Sequence, residues 1–317
     1  MKTRTFLAGC FLISSVFLSC SRNNEGGSGG EFSNLQGSLL YDFAGKVYQL
    51  DLKTGISSVY FSYNSYSFNN WDLSRDGKYR LTSERRPGTI VETRFKLLQA
   101  SDERVLKEFD YIPPVGNNQD YEGTISPDNS KILISPDYEN GIVILDMDGK
   151  LLNHLPGINN EKFGWGDEVI WMPDNSLLIT FQHKYIFRSR PPFSTLDLVK
   201  EMNYEKWGNI HASKDGTKIS FYIGSHIYVM DLDSREPVQV TESESSENLG
   251  IFSPDDKHLL IGSDYIHAPL TGSVWKMKII PNDGKKYHLE NDNAVITVKP
   301  SNETIEPSVT GRSLWIP

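Results

Sequence analysis

Six polar positions recur at one place along this chain and are the residues best suited to hold a ligand. Asn70, Glu122, Asp167 with Glu168, Asn209 and Asn248 each lie six or seven residues before one of five aspartates, Asp76, Asp128, Asp174, Asp215 and Asp255. Amides and carboxylates drawn together would offer oxygen ligands to a divalent cation, or hydrogen bonds to a polar ligand such as a sugar. The same groups could equally line a solvated channel and cap exposed backbone. Trp71, Trp165 and Trp207 stand five, nine and eight residues before their aspartates, and Tyr138 lies in a neighbouring loop. Aromatic faces beside carboxylates suit stacking on sugar rings or anchoring a partner. They are equally suited to packing as wedges in a core, which is the expectation for Trp71, two residues from Leu73.

Catalytic chemistry has less support. There is no Gly-x-Ser-x-Gly nucleophile elbow. The cysteines are Cys10 and Cys20 alone, both close to the amino terminus. The seven histidines show no metal-ligand spacing along the chain. His183, His226 and His267 are nevertheless expected in equivalent loops, from which they could approach one another around a metal.

The elements that would position these residues are strands. A short phrase repeats as Ser74-Arg75-Asp76-Gly77, Ser126-Pro127-Asp128-Asn129, Met172-Pro173-Asp174-Asn175, Ser213-Lys214-Asp215-Gly216 and Ser253-Pro254-Asp255-Asp256. Successive aspartates are 52, 46, 41 and 40 residues apart, a period that marks a stacked or circular repeat. One period reads as four strands: Ile210–Ser213, Lys218–Tyr222, Ile227–Leu232 and Pro237–Val240, with Asp215-Gly216 as a turn. Four antiparallel strands in roughly 45 residues fit one blade of a β-propeller. The segment from Leu196 to Tyr204 is the one stretch that could form a helical turn or two. The predicted fold is all-β, a six-bladed propeller spanning residues 35–317, with both termini completing one blade and so removing free sheet edges. A worn sixth copy, Ser308-Val309-Thr310-Gly311, is expected to supply the inner strand of that blade over Glu306–Gly311 and to place Glu303 and Thr304 at the mouth. Arg312–Ile316 and Ser38–Tyr41 compete for the strand beside it.

The Ser-Pro-Asp-Gly phrase, followed by an apolar strand and Ile227-Tyr228-Val229-Met230-Asp231-Leu232, resembles the PD40 (WD40-like) repeats of TolB-type propellers. The resemblance covers most of the chain and implies the propeller. TolB's separate amino-terminal domain has no counterpart here, so its partnership is not carried over. Oligogalacturonate lyases, which are propellers with a histidine-rich metal site, are similar at the level of fold, and imply the rival reading of a metal-dependent polysaccharide lyase or hydrolase.

The amino terminus carries a separate message. Met1-Lys2-Thr3-Arg4, an apolar run from Phe6 to Leu18, and Ser19-Cys20 describe a secretory signal over residues 1–19. Phe17-Leu18-Ser19-Cys20 resembles the lipobox of bacterial lipoproteins, which implies lipid on Cys20. Acyl chains contribute about 0.8 kcal/mol per buried methylene, enough in combination to hold a domain at a membrane. Residues 20–34, rich in glycine and serine, read as a flexible tether. A formal charge of −9 disfavours nucleic acid and anionic lipid as partners. Ser21 after the cysteine points to the outer membrane. The expected protein is a monomeric, non-enzymatic envelope lipoprotein that recognises a protein or glycan and needs no cofactor.

Overall fold

The computed structural model describes residues 32–89, 92–116, 120–164, 166–267 and 272–317; the signal, Cys20, most of the tether and Trp165 lie outside them. Six four-stranded antiparallel sheets form the blades of a propeller. From the inner to the outer strand, blade 1 is Ser313–Ile316, Ser38–Phe43, Lys46–Asp51 and Ile56–Ser62. Blade 2 is Phe68–Leu73, Tyr79–Arg85, Thr93–Gln99 and Val105–Tyr111, and blade 3 is Gly123–Ile125, Lys131–Asp137, Gly141–Asp146 and Leu151–Leu155. Blade 4 is Val169–Trp171, Leu177–Phe181, Tyr185–Ser189 and Asp197–Glu201. Blade 5 is Trp207–Ala212, Lys218–Ile223, His226–Asp231 and Pro237–Gln239, and blade 6 is Asn248–Phe252, His258–Ile266, Val274–Pro281 and Ile296–Thr297.

Blades stack face to face, so a strand in the middle of a blade buries both its sides. Leu177, Leu178 and Ile179 are accordingly all buried, without the polar alternation of a sheet that faces water. Alternate side chains serve opposite neighbours: Leu259 and Ile261 pack with blade 5, and Leu260 between them packs with blade 1. An apolar cluster fills each of the six blade interfaces, including Leu40 with Trp71 between blades 1 and 2, and Met172 with Trp207 between blades 4 and 5. Trp71 is 1% exposed, as expected of a core residue.

The repeated phrase has a structural job in every full copy. Ser74, Ser126, Ser213 and Ser253 each donate a hydroxyl hydrogen bond to their aspartate, at 2.8, 2.6, 2.7 and 2.8 Å. Each serine also accepts from the backbone N–H five residues on, at 2.9–3.0 Å. Met172 cannot do this in the third copy, and Ser176 bonds to Asp174 instead. The turns then connect blades: Asp256 accepts the amides of Lys214 and Asp215, and Asn175 accepts that of Asp128.

Two expectations are corrected. Leu196–Tyr204 holds no helix; Asp197–Glu201 is the outer strand of blade 4, paired with Tyr185–Arg188. Closure of the ring also uses a later segment than Glu306–Gly311. Ser313–Ile316 is the inner strand of blade 1, pairing Leu39 with Trp315 and Tyr41 with Ser313. The worn copy has no aspartate to build the turn, and Val309 instead bridges to Trp275 of blade 6. Ser313–Ile316 has the required alternation, with Trp315 turned to the blade 6 interface and Leu314 to that of blade 2. Gly37 permits the join: a Cβ there would stand 2.0 Å from the Ile316 carbonyl oxygen.

Candidate functional site

The inner strands surround a channel with a cavity of about 600 Å³. Glu122, Asp167, Glu168 and Asn209 line it, and Asn248 adjoins it through a hydrogen bond from the Asn209 amide. The structure therefore brings together these predicted mouth residues. Asn70 is the exception: it is buried, accepts the Trp71 amide at 2.7 Å, and does not reach the cavity. Glu303 and Thr304 are likewise not at the mouth, because the closing strand begins nine residues after Thr304, at Ser313.

The four acidic and amide groups differ in what holds them. Strand pairing shifts register between Gly208 and His211, and Asn209 takes a φ of +54°. That bulge turns two successive amides toward blade 4, where the Glu168 carboxylate accepts both, from Asn209 at 2.5 Å and Ile210 at 2.9 Å. Gly208 leaves the space: a Cβ would stand 3.0 Å from Glu168 Oε1. Asp167 is similarly committed, accepting the Gly164 amide at 2.7 Å and facing the amides of Gln182 and His183. Glu122 has no hydrogen-bond partner for its carboxylate among the described residues. Water reaches it through the channel, yet protein surrounds it, and this loss of solvent raises its pKa while Arg312 opposes the shift. Burial also raises Glu168, against the two amides, and Asp167, against its own amides.

The rim differs from expectation in one residue. Trp207 is 2% exposed, donates to the His183 carbonyl at 2.7 Å and meets Phe221 edge-on. It is a wedge between blades 4 and 5, as its apolar neighbours require. Tyr138 is exposed on the loop after the second strand of blade 3, with the Lys162 ammonium 4.6 Å from its ring centre.

The three histidines do not form a centre. His226 Nδ1 lies 3.3 Å from buried Glu247, and His267 Nδ1 lies 3.1 Å from Ser273. His183 sits beside Gly166 and within electrostatic reach of Glu168. Among the described residues no group of three or more His, Cys, Asp or Glu side chains is placed to hold a metal ion. Of the mouth carboxylates that could serve as oxygen ligands, Glu168 is held by two backbone amides and Asp167 Oδ2 by that of Gly164, while Asp167 Oδ1 has no hydrogen bond.

Sequence reading missed the deeper channel. Asp72, Thr124, Ile170, His211 and Ile251 lie four residues before their aspartates and face the same cavity. Alternation along the strand would have found them, because positions two apart share a face. Asp72 is buried, accepts the Ile125 amide at 2.7 Å and pairs with Arg312 at 2.7 Å. Burial raises its pKa against the pull of Arg312 and two amides.

No protein-family model matches the chain, and no curated protein sequence does. Among solved structures, TolB from Acinetobacter baumannii is similar with a TM-score of 0.57 at 15% identity, covering 80% of this chain and 63% of that one. The present chain thus spans under two thirds of that protein. A protein assigned as TolB from Agrobacterium tumefaciens gives 0.54 at 16% identity, covering 84% and 89%. A Bacteroides caccae protein of unknown function gives 0.51 at 15%, covering 83% and 97%. At such identities the likeness is one of architecture, and the chain is a six-bladed β-propeller with the TolB-like fold.

Proposed function

We propose that this chain is a lipid-anchored, non-enzymatic envelope protein that binds a polar partner, protein or glycan, at the channel mouth. One observation carries the binding site: Glu122 presents a carboxylate without a hydrogen-bond partner among the described residues, open to water at the edge of the channel cavity. Its neighbours Asp167 and Glu168 shape the mouth and add negative potential; Glu168 is held by two backbone amides, and Asp167 by that of Gly164 through Oδ2 alone. A partner offering a hydroxyl, amide or cationic group would satisfy the Glu122 carboxylate. Tyr138, exposed on the same side, supplies an aromatic surface at the edge. The envelope location rests on the signal-like segment, Cys20 and the resemblance to TolB-type propellers, and Trp165 remains a candidate rim residue on sequence grounds.

The test is a glycan array together with a pull-down from envelope extract, comparing the native protein with Glu122→Ala. A partner retained by the native protein and lost by the variant supports the reading; one bound equally by both moves the site elsewhere. Cys20→Ala should shift the protein from the membrane to the soluble fraction, and membrane retention would refute the lipid anchor.

A further inference from the structure

Below Glu122 the channel turns basic, with Arg312 reaching both levels. We propose that it binds a small tetrahedral oxyanion, of phosphate or sulfate type, between Lys214, Arg312, His211 and Arg75. These residues come from three blades: Arg312 precedes the inner strand of blade 1, Arg75 lies in the turn of blade 2, and His211 and Lys214 end the inner strand of blade 5. All four line the same cavity.

Their donors are not used up by the protein. Arg312 spends one Nη on Asp72 at 2.7 Å, yet its Nε is sealed from water without a partner, and so is His211 Nε2. No partner is seen for the Lys214 ammonium among the described residues; the Asp256 carboxylate beside it accepts the Lys214 and Asp215 amides instead. Arg75 donates across the ring to the Lys214 carbonyl, which brings its guanidinium over this end of the channel while it stays open to solvent. Three cations thus face two carboxylates, Asp72, which Arg312 already engages, and Asp256 beside Lys214, within a protein whose overall charge is −9.

The groups also feel one another. Burial and then Arg75 push the Lys214 pKa down. His211 is held at about 4 by burial, then by Arg312 and Lys214, so it is neutral at pH 7 and can present Nε2–H to a ligand. Cations that outnumber the carboxylates beside them are unfavourable where water is scarce, and an anion that accepts from several directions would offset that cost. Donors arriving from three blades suit a tetrahedral acceptor better than a planar carboxylate. Arg312 lies within electrostatic reach of Glu122 as well, so the two sites share one cavity, but they are read by different ligands and variants.

Calorimetric titration of the full-length protein with sodium phosphate and sodium sulfate, at constant ionic strength with chloride as the balancing salt, tests the site. Saturable binding in the millimolar range or tighter is expected, weakened about tenfold or more in Lys214→Met, weakened in Arg75→Ala and not weakened in Glu122→Ala. Burial and Arg75 outweigh Asp256 and Asp72 at the Lys214 ammonium, so Lys214→Met should melt no lower than the native protein in chloride, which verifies that it folds. Absence of saturation by about 20 mM of either anion, or equal binding by Lys214→Met, would overturn the proposal. Acetate binding as tightly as phosphate would overturn the tetrahedral assignment.

Discussion

Glu122 and Glu168 occupy the same position in successive blades, six residues before Asp128 and Asp174, and removing them should have opposite consequences. Glu168 accepts the amides of Asn209 and Ile210, which no strand partner accepts because the bulge at Gly208–His211 carries them out of the ladder. A hydrogen bond to a charged group contributes about 1.5–3 kcal/mol net, and a buried amide left without an acceptor costs about 1–3 kcal/mol. Part of the gain is already offset, since burial raises the Glu168 pKa in spite of both amides. Glu168→Ala should therefore destabilise the protein by about 2–4 kcal/mol, whereas Glu168→Gln, retaining one acceptor, should fall between it and the native protein. Glu122→Ala deletes a carboxylate that is open to water and accepts no protein hydrogen bond among the described residues, so its change should stay within about 0.5 kcal/mol or favour folding.

Urea unfolding monitored by tryptophan fluorescence and by far-ultraviolet circular dichroism measures both variants, with the denaturant slope as a control for the unfolded state. Equal losses for Glu122→Ala and Glu168→Ala would refute the division of the mouth into a structural and a free carboxylate. So would a neutral Glu168→Ala, which would mean that the bulged amides find water or another acceptor.

The remaining expectations concern closure, the turns and pH. Trp315→Ala should cost about 3–5 kcal/mol, because the side chain is 1% exposed and fills the interface that joins the two ends of the ring. Val59→Ala, on the exposed outer strand of the same blade, should stay within about 0.5 kcal/mol by the same urea assay. Ser253→Ala removes a hydroxyl that bonds both Asp255 and the His258 amide, and should cost about 1–2 kcal/mol. On acidification two channel groups pull in opposite directions. Glu122 binds its proton more tightly when folded, so the cost of its charge is relieved as pH falls through its folded pKa toward 4.5. His211 refuses its proton until about pH 4, so stability is lost as pH falls from 6.5 toward 4. Between pH 6.5 and 4.5, His211→Asn should therefore lose less stability than the native protein and Glu122→Gln more; coincident pH–stability curves would refute both assignments.

The blade count and strand order were readable because each repeat must solve the same local problem. A Ser-x-Asp turn needs its hydroxyl and carboxylate two residues apart, and Ser74 with Asp76 or Ser253 with Asp255 show it directly in the chain. Strand 197–201 was not readable: Asp197-Leu198-Val199-Lys200-Glu201 has neither a turn signal nor strong alternation, and pairing with Tyr185–Arg188 decides its form. The closing strand was misplaced for a related reason. Ser308–Gly311 looks like a worn turn, but what fixes the inner strand is a tertiary requirement, that Trp315 and Leu314 fill opposite interfaces. Trp207 shows the limit for the site, since one tryptophan beside a glycine reads equally well as rim or wedge until the 2% exposure is known.

The two ends of the channel obey different constraints. At the turn end every blade must reverse its chain, so Asp128, Asp215 and Asp255 are tied to serines and backbone amides whatever the ligand. Burial works against most of these turn aspartates, yet their hydrogen bonds outweigh it and keep Asp76, Asp128, Asp174 and Asp255 below the usual carboxylate range. At the mouth no such reversal is imposed by a shared phrase, and the repeats diverge to an asparagine, a glutamate, an acidic pair and two amides. Some of that divergence is still structural, as Glu168 and Asn70 demonstrate. Polar atoms facing the channel are left without protein partners at both levels: Asp167 Oδ1 beside the water-exposed Glu122 carboxylate at the mouth, and Arg312 Nε and His211 Nε2 beside the Lys214 ammonium deeper in. Divergence among repeats therefore does not mark a site in this ring by itself, nor does an unmet hydrogen bond, since Asn70, Ser83 and Trp275 have one away from the cavity; an unmet polar atom on the channel wall is what marks one.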